Sequence, residues 1–403
     1  MKNLIPVFFD HSRHKLWVRD LEAHLDVLAF EGTERLSEPF TYEIEFTSTD
    51  LDLDAEHLLR KDASFSLYAA RQPPVYRGLP LPEIKPLRTL HGVITAFKRL
   101  SVSRDEGRYA VTLQPRLALL GKGRQYRIYQ HQSVPEIVES ILRRRHDFEG
   151  YEFHFRLVRE YPRREQVMQY GESDLTFISR LLAEVGIWYC VRKHESHPFA
   201  VVEFCDSQRG YQFDVELPYH SPAGLSSSDV DGVWDLQTRH QVVEKTVNIR
   251  NYNHRDARAH LDADVDQTRG ATTTYGEAYH YAEPYRVLGD RYDWHEDVES
   301  ESGYFYARLR HDRYLNEQTR LSGITSSATL TAGQVLTISG GAPQAFTPRC
   351  TIIGVRTRAA RDASFECRFE AMPYSEFLCF RPQVPPKPQI AGTVPARVSS
   401  NKA

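Results

Sequence analysis

Two stretches of this chain, far apart in sequence, follow the same plan. HGVITAFKRLSVSRDEGRYAVTLQP carries Gly92-Val93-x-Thr95, a polar turn, then Tyr109, Val111 and Leu113 in alternation, and Pro115. IIGVRTRAARDASFECRFEAMP carries Gly354-Val355-x-Thr357, a polar turn, then Phe365, Cys367 and Phe369, and Pro373. Each is preceded by a leucine, a polar turn and an alternating strand, Leu59 to Leu67 in one and Leu330 to Ile338 in the other. Alternation at period two puts the apolar side chains on one face of a strand. One G-V-x-T match carries little weight. The order of strand, loop, hairpin and proline, met twice, predicts two similar small β-barrels in one polypeptide. Three such chains around a three-fold axis would present six similar units, and a ring of that kind suits a six-fold partner.

The rest of the chain is consistent with a β-rich protein of more than one domain. At 403 residues it is too long for one core. Its 22 Tyr and 20 Phe favour strands, and TYEIEF places Tyr42, Ile44 and Phe46 on one face. A loop with Pro73, Pro74, Pro80, Pro82 and Pro86 separates SFSLYAA from the first hairpin.

The period then changes. Ser133 and Glu136 form a capping box ahead of Ile137, Val138, Ile141 and Leu142, which predicts a helix over about 134–146. In QYGESDLTFISRLLAEVGIWY, Ser173 is a good N-cap and Asp174 suits the first turn. Leu175, Ile178, Leu181, Leu182 and Val185 recur at helical spacing, and Gly186 fits the left-handed C′ position with Ile187 after it. A hairpin follows around His194–Pro198, then a loop over 207–232. The tyrosine-rich piece Tyr275–Tyr314 predicts a helix from about Ser300 to Asn316. The expected division is a first barrel over 1–120, an α/β insertion over 121–230 with two capped helices and a hairpin, a second barrel over 231–375 with a tyrosine-rich helical insertion, and a proline-rich neck over 376–403. Residues 390–403 read as the first strand of a further unit.

Motifs that carry chemistry are incomplete. Gly171-Glu172-Ser173-Asp174 lacks the second glycine of a nucleophile elbow. His194-Glu195-Ser196-His197 has the wrong spacing for two metal ligands on one helical face. Asp50, Asp52 and Asp54 lack the glycine and the final glutamate of a calcium loop, and so do Asp262, Asp264 and Asp266. Gly121-Lys122-Gly123 is not a dinucleotide fingerprint. A net charge of −3 gives no reason to expect nucleic acid or an anionic membrane as partner. No catalytic residue, cofactor or metal is expected. Cys190, Cys205, Cys350 and Cys367 read as small buried hydrophobes in a reducing compartment. The start, MKNLIPVFFDHSRHK, is not a cleaved leader. That predicts folding in the cytoplasm and, if the chain is exported, a route without a signal peptide. Two other classes stay open on these residues: a phage-tail-like cell-wall hydrolase and a carbohydrate-binding module.

ERLSEPFTYEIEF, LHGVITAF, YAVTLQPRLALL, RIYQHQSVPEIV, QYGESDLTFISRLLAEVGIWY, LTAGQVLTISG and FECRFEAMP, in this order, resemble the VgrG spike family of bacterial type VI secretion systems. The N-terminal part of that family is similar to the hub of contractile phage tail baseplates. The resemblance implies a phage tail hub-like fold of two β-barrels with α/β insertions. It also implies a homotrimer seated on the hexameric Hcp tube, with baseplate components and effectors or adaptors as further partners. An OB-fold and a needle would follow the neck, and membrane contact would belong to that needle; on this reading the chain is an N-terminal fragment or a truncated homologue. The role implied is structural, not enzymatic. Gln169, Tyr170, Glu172, Ser173, Asp174, Phe177, Arg180, Leu181, Gly186 and Ile187 would be family-motif positions with a structural role.

Overall fold

The computed structural model describes residues 14–69, 85–194, 196–220, 230–281, 284–289, 298–347 and 349–393. The chain opens with β1 (Lys15–Val18), β2 (Asp26–Arg35), β3 (Thr41–Ser48), β4 (Asp62–Leu67), β5 (Arg88–Val102) and β6 (Gly107–Gln114). A mixed segment follows: β7 (Gln125–Gln132), α1 (Val134–His146), β8 (Phe153–Arg156), β9 (Arg164–Glu172), α2 (Asp174–Glu184), β10 (Trp188–Lys193), β11 (Ala200–Cys205) and β12 (Gln212–Pro218). The last part holds β13 (Val233–His240), β14 (Thr246–Arg250), β15 (Asp262–Val265), β16 (Glu277–Tyr281), α3 (Gly303–Gln318), β17 (Thr319–Thr325), β18 (Gln334–Ser339), β19 (Cys350–Ala360) and β20 (Ala363–Pro373).

Among the described residues twelve strands form one sheet, ordered β1-β4-β5-β6-β3-β2-β19-β20-β17-β13, with β18 on β19 and β12 on β18. One pairing order occurs twice in it. β4-β5-β6-β3-β2 is matched by β18-β19-β20-β17-β13, strand for strand in chain order, and every contact in both runs is antiparallel. The registers match as well. Gly32, Tyr42, Leu113 and Ile94 lie in one row across β2, β3, β6 and β5. Thr238, Leu321, Ala371 and Ile352 lie in the corresponding row across β13, β17, β20 and β19. A β-bulge follows Ile94 in β5 and Ile352 in β19 at the same step. Such bulges are positional features of a fold. These rows correct the sequence alignment: Gly92 corresponds to Cys350, and Gly354 to Ala96. The G-V-x-T match is thus offset by four residues, which leaves every side chain on its proper face because four is a whole multiple of the strand period of two.

Period-two burial builds the main core. Tyr42, Ile44 and Phe46 of β3 and Tyr109, Val111 and Leu113 of β6 are buried and join Phe30, Phe65, Leu321, Ile352, Cys367 and Phe369 in one cluster. Each such aromatic or aliphatic burial contributes about 1.5–3 kcal/mol. Where β2 meets β19, the Tyr42 hydroxyl donates to Glu34 at 2.6 Å and accepts from Thr357 at 3.3 Å, and Arg88 forks onto Glu34 at 2.8 and 2.6 Å.

A second core lies under the helices. Ile137, Val138, Ile141 and Leu142 of α1 pack with Phe177, Ile178, Leu181 and Leu182 of α2 and with Phe305, Tyr306 and Leu309 of α3. Small sheets frame it, β10-β11-β8, β15-β14-β16 and the pair β7-β9. The expected bounds of α1 are met, with the Ser133–Glu136 capping box in place, and Asp147 in the left-handed region closes the helix. Two regions depart from expectation. The 207–232 stretch contains β12, parallel to β18, and the tyrosine-rich piece contributes β16 as well as α3. Pro73, Pro74, Pro80 and Pro82 and residues 394–403 lie outside the described residues. Among the described residues no helix is long and apolar enough to cross a membrane.

Candidate functional site

The stretch from Gln169 to Ile187 joins β9 to α2 and ends beneath the neck. Ser173 is the N-cap of α2, its hydroxyl accepting from the Thr176 amide at 3.2 Å. At the far end Gly186 sits at φ +75°, its amide donates to Ala183 at 3.0 Å, and the Ile187 amide donates to Leu182 at 2.9 Å. Those two bonds make a Schellman stop. Leu181 and Ile187 are buried, Phe177 stacks on Tyr129 at 5.5 Å, and Tyr170 meets Tyr126 edge to face at 5.1 Å.

The charged residues of this stretch point inward and are paired. Asp174 accepts from Gln169 at 2.8 Å through Oδ1, and its Oδ2 lies 2.7 Å from His146 Nε2 and 2.9 Å from Arg145. Arg180 forks onto Glu172 with two bonds of 2.8 Å and reaches Glu184 at 3.1 Å. Glu184 meets Arg164 at 2.9 Å, and Arg164 continues to Glu301 at 2.8 Å and to the Tyr306 hydroxyl at 3.1 Å. The result is a buried chain Glu172–Arg180–Glu184–Arg164–Glu301 that ties β9, α2 and the start of α3 together. Burial pushes the Glu184 carboxyl up, but Arg164 and Lys387 outweigh it and hold the group below its ordinary range. For Arg180, burial opposes the charge and the two glutamates more than restore it.

Arg381, from the proline-rich segment, docks against the same helix end. Its guanidinium donates to the carbonyls of Gly186 at 2.9 Å and Asp206 at 2.7 Å, and to Asp312 of α3 at 3.1 Å. The Arg381 amide donates to Asn316 at 2.8 Å, Asn316 donates to the Cys379 carbonyl at 3.1 Å, and Arg313 donates to the Pro382 carbonyl at 2.9 Å. The Phe380 amide donates to the Tyr211 hydroxyl at 2.9 Å. The geometry is that of a clamp: the neck backbone is held by α3 and by the C-terminus of α2. The sequence points to Ser173, Asp174, Gly186 and Ile187. It does not point to Arg164, Glu301, Asn316 or Arg381, whose partners are distant in the chain.

Several carboxyls, of which Glu184 alone belongs to this arrangement, are held in their charged form. Glu136, Glu165, Glu184, Asp266 and Glu366 are each held below the ordinary carboxyl range, chiefly by arginines except at Asp266, where Thr268 hydrogen bonds do so. A general acid needs the opposite shift. Asp50, Asp54 and Asp266 accept from backbone amides two residues on, and Asp262 pairs with Arg250.

A family model for the phage tail baseplate hub (GPD) matches residues 33–363. The chain belongs to this hub family. The type VI secretion system spike protein VgrG1b of Pseudomonas aeruginosa is 28% identical to this hub over 345 residues, covering 84% of the chain and 42% of that protein. The chain thus spans about two fifths of the length of that relative. Among solved structures, the E. coli c3393 protein, described as a component of the type VI secretion system with structural similarity to the T4 tail proteins gp27 and gp5, superposes with a TM-score of 0.72 at 42% identity. That match covers 96% of this hub and 84% of that chain. A Francisella PdpA-VgrG complex shares the hub fold at a TM-score of 0.53 and 10% identity, covering 90% of this chain and 56% of that one.

Proposed function

We propose that this chain is the structural hub of a type VI secretion spike. Three copies form a collar that adapts a three-fold spike to the six-fold Hcp tube. The observation that carries this reading is the pairing order repeated in β4-β5-β6-β3-β2 and β18-β19-β20-β17-β13, in a chain of the hub family. Each half is read as a small β-barrel, so that three chains present six like units. The proposed division is 1–120 and 231–375 for the barrels, 121–230 for the α/β insertion and 376–403 for the neck. The hub does no chemistry in this reading; it bears load and adapts symmetry.

The motif from Gln169 to Ile187 takes the structural role of seating the neck. Thrust on a spike beyond the neck would pass through Arg381 and Asn316 into α3 and α2. Assembly in the bacterial cytoplasm, export by the type VI machine, and contact with baseplate components, effectors or adaptors complete the proposal. The test is binding of the purified chain to preformed Hcp hexamers by analytical ultracentrifugation. A complex with three chains per hexamer is the expected result. Failure to bind at micromolar concentrations of both would overturn the proposal.

A further inference from the structure

Away from the neck clamp, a cavity of about 300 Å³ is lined by β5 of the N-terminal strands, by β10 of the insertion, and by β18 with the turn that leads into it. That volume is at the small end of the range for small-molecule sites. The cavity wall is positive and carries no carboxylate. Arg88, His91, Arg192 and Lys193 line it, and no aspartate or glutamate does. The cavities of about 320, 520, 530 and 720 Å³ elsewhere on the chain each have at least one acidic residue on the wall.

The four basic side chains are not equally satisfied. Arg88 forks onto Glu34, and Arg192 donates to Glu203 at 2.6 Å and to the Gly210 carbonyl at 2.7 Å. Glu203 also meets Arg156 at 2.9 Å, so one carboxylate serves two arginines. Lys193 is exposed, and its ammonium has no hydrogen bond or ion pair among the described residues. His91 is half-buried, and its imidazole is held below its ordinary range by burial and then by the Lys193 charge. A neutral donor stands on the same wall. The Thr331 amide donates to Gln334 Oε1 at 2.8 Å, which leaves the Gln334 Nε2 as a donor. Phe40, Leu87 and Val191 add an apolar side. A few polar groups on an apolar wall are the makeup of a small-ligand site. A cation without a counter-charge, beside neutral donors, selects an oxyanion.

We propose that this cavity binds a small organic oxyanion, a phosphate or carboxylate on a compact apolar body, held by Lys193, with Gln334 as a neutral donor and His91 beside it. The site goes beyond the hub reading and does not depend on it. Its wall draws on the N-terminal strands, the insertion and the C-terminal strands, so an occupant joins three parts of the chain. A ligand that binds only the folded state stabilises it by mass action.

The test uses the full 403-residue chain. Isothermal titration calorimetry with inorganic phosphate, phenyl phosphate and benzoate is expected to give saturable binding of at least one probe, and the probe that binds names the head group and shows whether an apolar body is required. Lys193→Ala, at an exposed position, should weaken that binding by at least about tenfold through the lost charge-assisted bond. Lys122→Ala, exposed and outside the cavity wall, should bind as the parent does. Nuclear magnetic resonance titration of the His91 imidazole gives a second reading. Its pKa should rise when the bound probe is present and stay in place with sodium chloride of equal ionic strength. Absence of saturation with all three probes, equal affinity in Lys193→Ala and the parent, or a His91 shift that sodium chloride reproduces would each overturn the site and leave the hub reading intact.

Discussion

At the residue scale the molecule is organised by charges that are largely buried and paired with one another. Arg180 holds Glu172 and Glu184, both buried carboxylates. Removing one member of a buried pair leaves its partner uncompensated, at a cost of about 3–5 kcal/mol. Arg180→Ala is therefore expected to lower unfolding free energy by that amount in urea titration, and R180K to recover only part of it because the fork onto Glu172 is lost. An unchanged midpoint would remove the network from the account. Glu184 gives a pH dependence. Folding holds this carboxyl below its ordinary value of 4.5, so the folded state binds fewer protons there than the unfolded chain. Its stabilisation is complete above about 4.5 and is lost as the pH falls through the depressed folded value. Thermal melts of the chain should weaken in that acid window, and E184Q should show a shallower acid limb. Little of this network was legible in the sequence. Glu172, Asp174 and Arg180 stand together in one motif, but Arg164 and Glu301 are 137 positions apart, and only the fold brings them within 2.8 Å.

At the scale of elements, local chemistry announced the helices and hid some of the strands. Ser133 with Glu136, and Ser173 with Gly186, mark helix ends by short-range hydrogen bonds, so α1 and α2 could be placed from the residues alone. β12 was hidden because Phe213, Val215 and Leu217 follow a short helical turn and find their partner, β18, more than a hundred residues later. The repeat was legible as an order of elements but misread by four residues, since the shared Gly-Val-x-Thr letters do not fall on the shared bulge. Gly186 offers a sharp test of element-level design. A β-carbon there would sit 2.5 Å from Leu309 Cδ2 on a backbone at φ +75°. G186A is expected to cost more than about 1 kcal/mol from the left-handed conformation alone, with the collision against α3 adding to it. The check is the shift in denaturation midpoint against that of Ser133→Ala, which should cost about 0.5–2 kcal/mol as a lost cap.

At the scale of the whole molecule, the two β-rich halves and the helical insertions meet where the neck begins. Arg381 is partly buried and hydrogen-bonded to Gly186, Asp206 and Asp312, so the neck is part of the packed structure at its root. Arg381→Ala should release it: exchange of the Phe380 and Arg381 amides is expected to quicken by about tenfold or more, with the β3 and β6 amides unchanged. Equal rates in the variant would show that the clamp does not hold the neck. The larger claim is that an internally duplicated sheet lets three chains imitate six. Electron cryo-microscopy of the 403-residue chain tests this most directly. The account predicts a three-fold ring of three copies of the 46.6 kDa chain, about 140 kDa in all, in which β2–β6 and β13 with β17–β20 occupy six nearly equivalent positions around one axis. Particles in which the two sets fail to superpose by a rotation of about 60° around that axis, the angle six positions require, would contradict it.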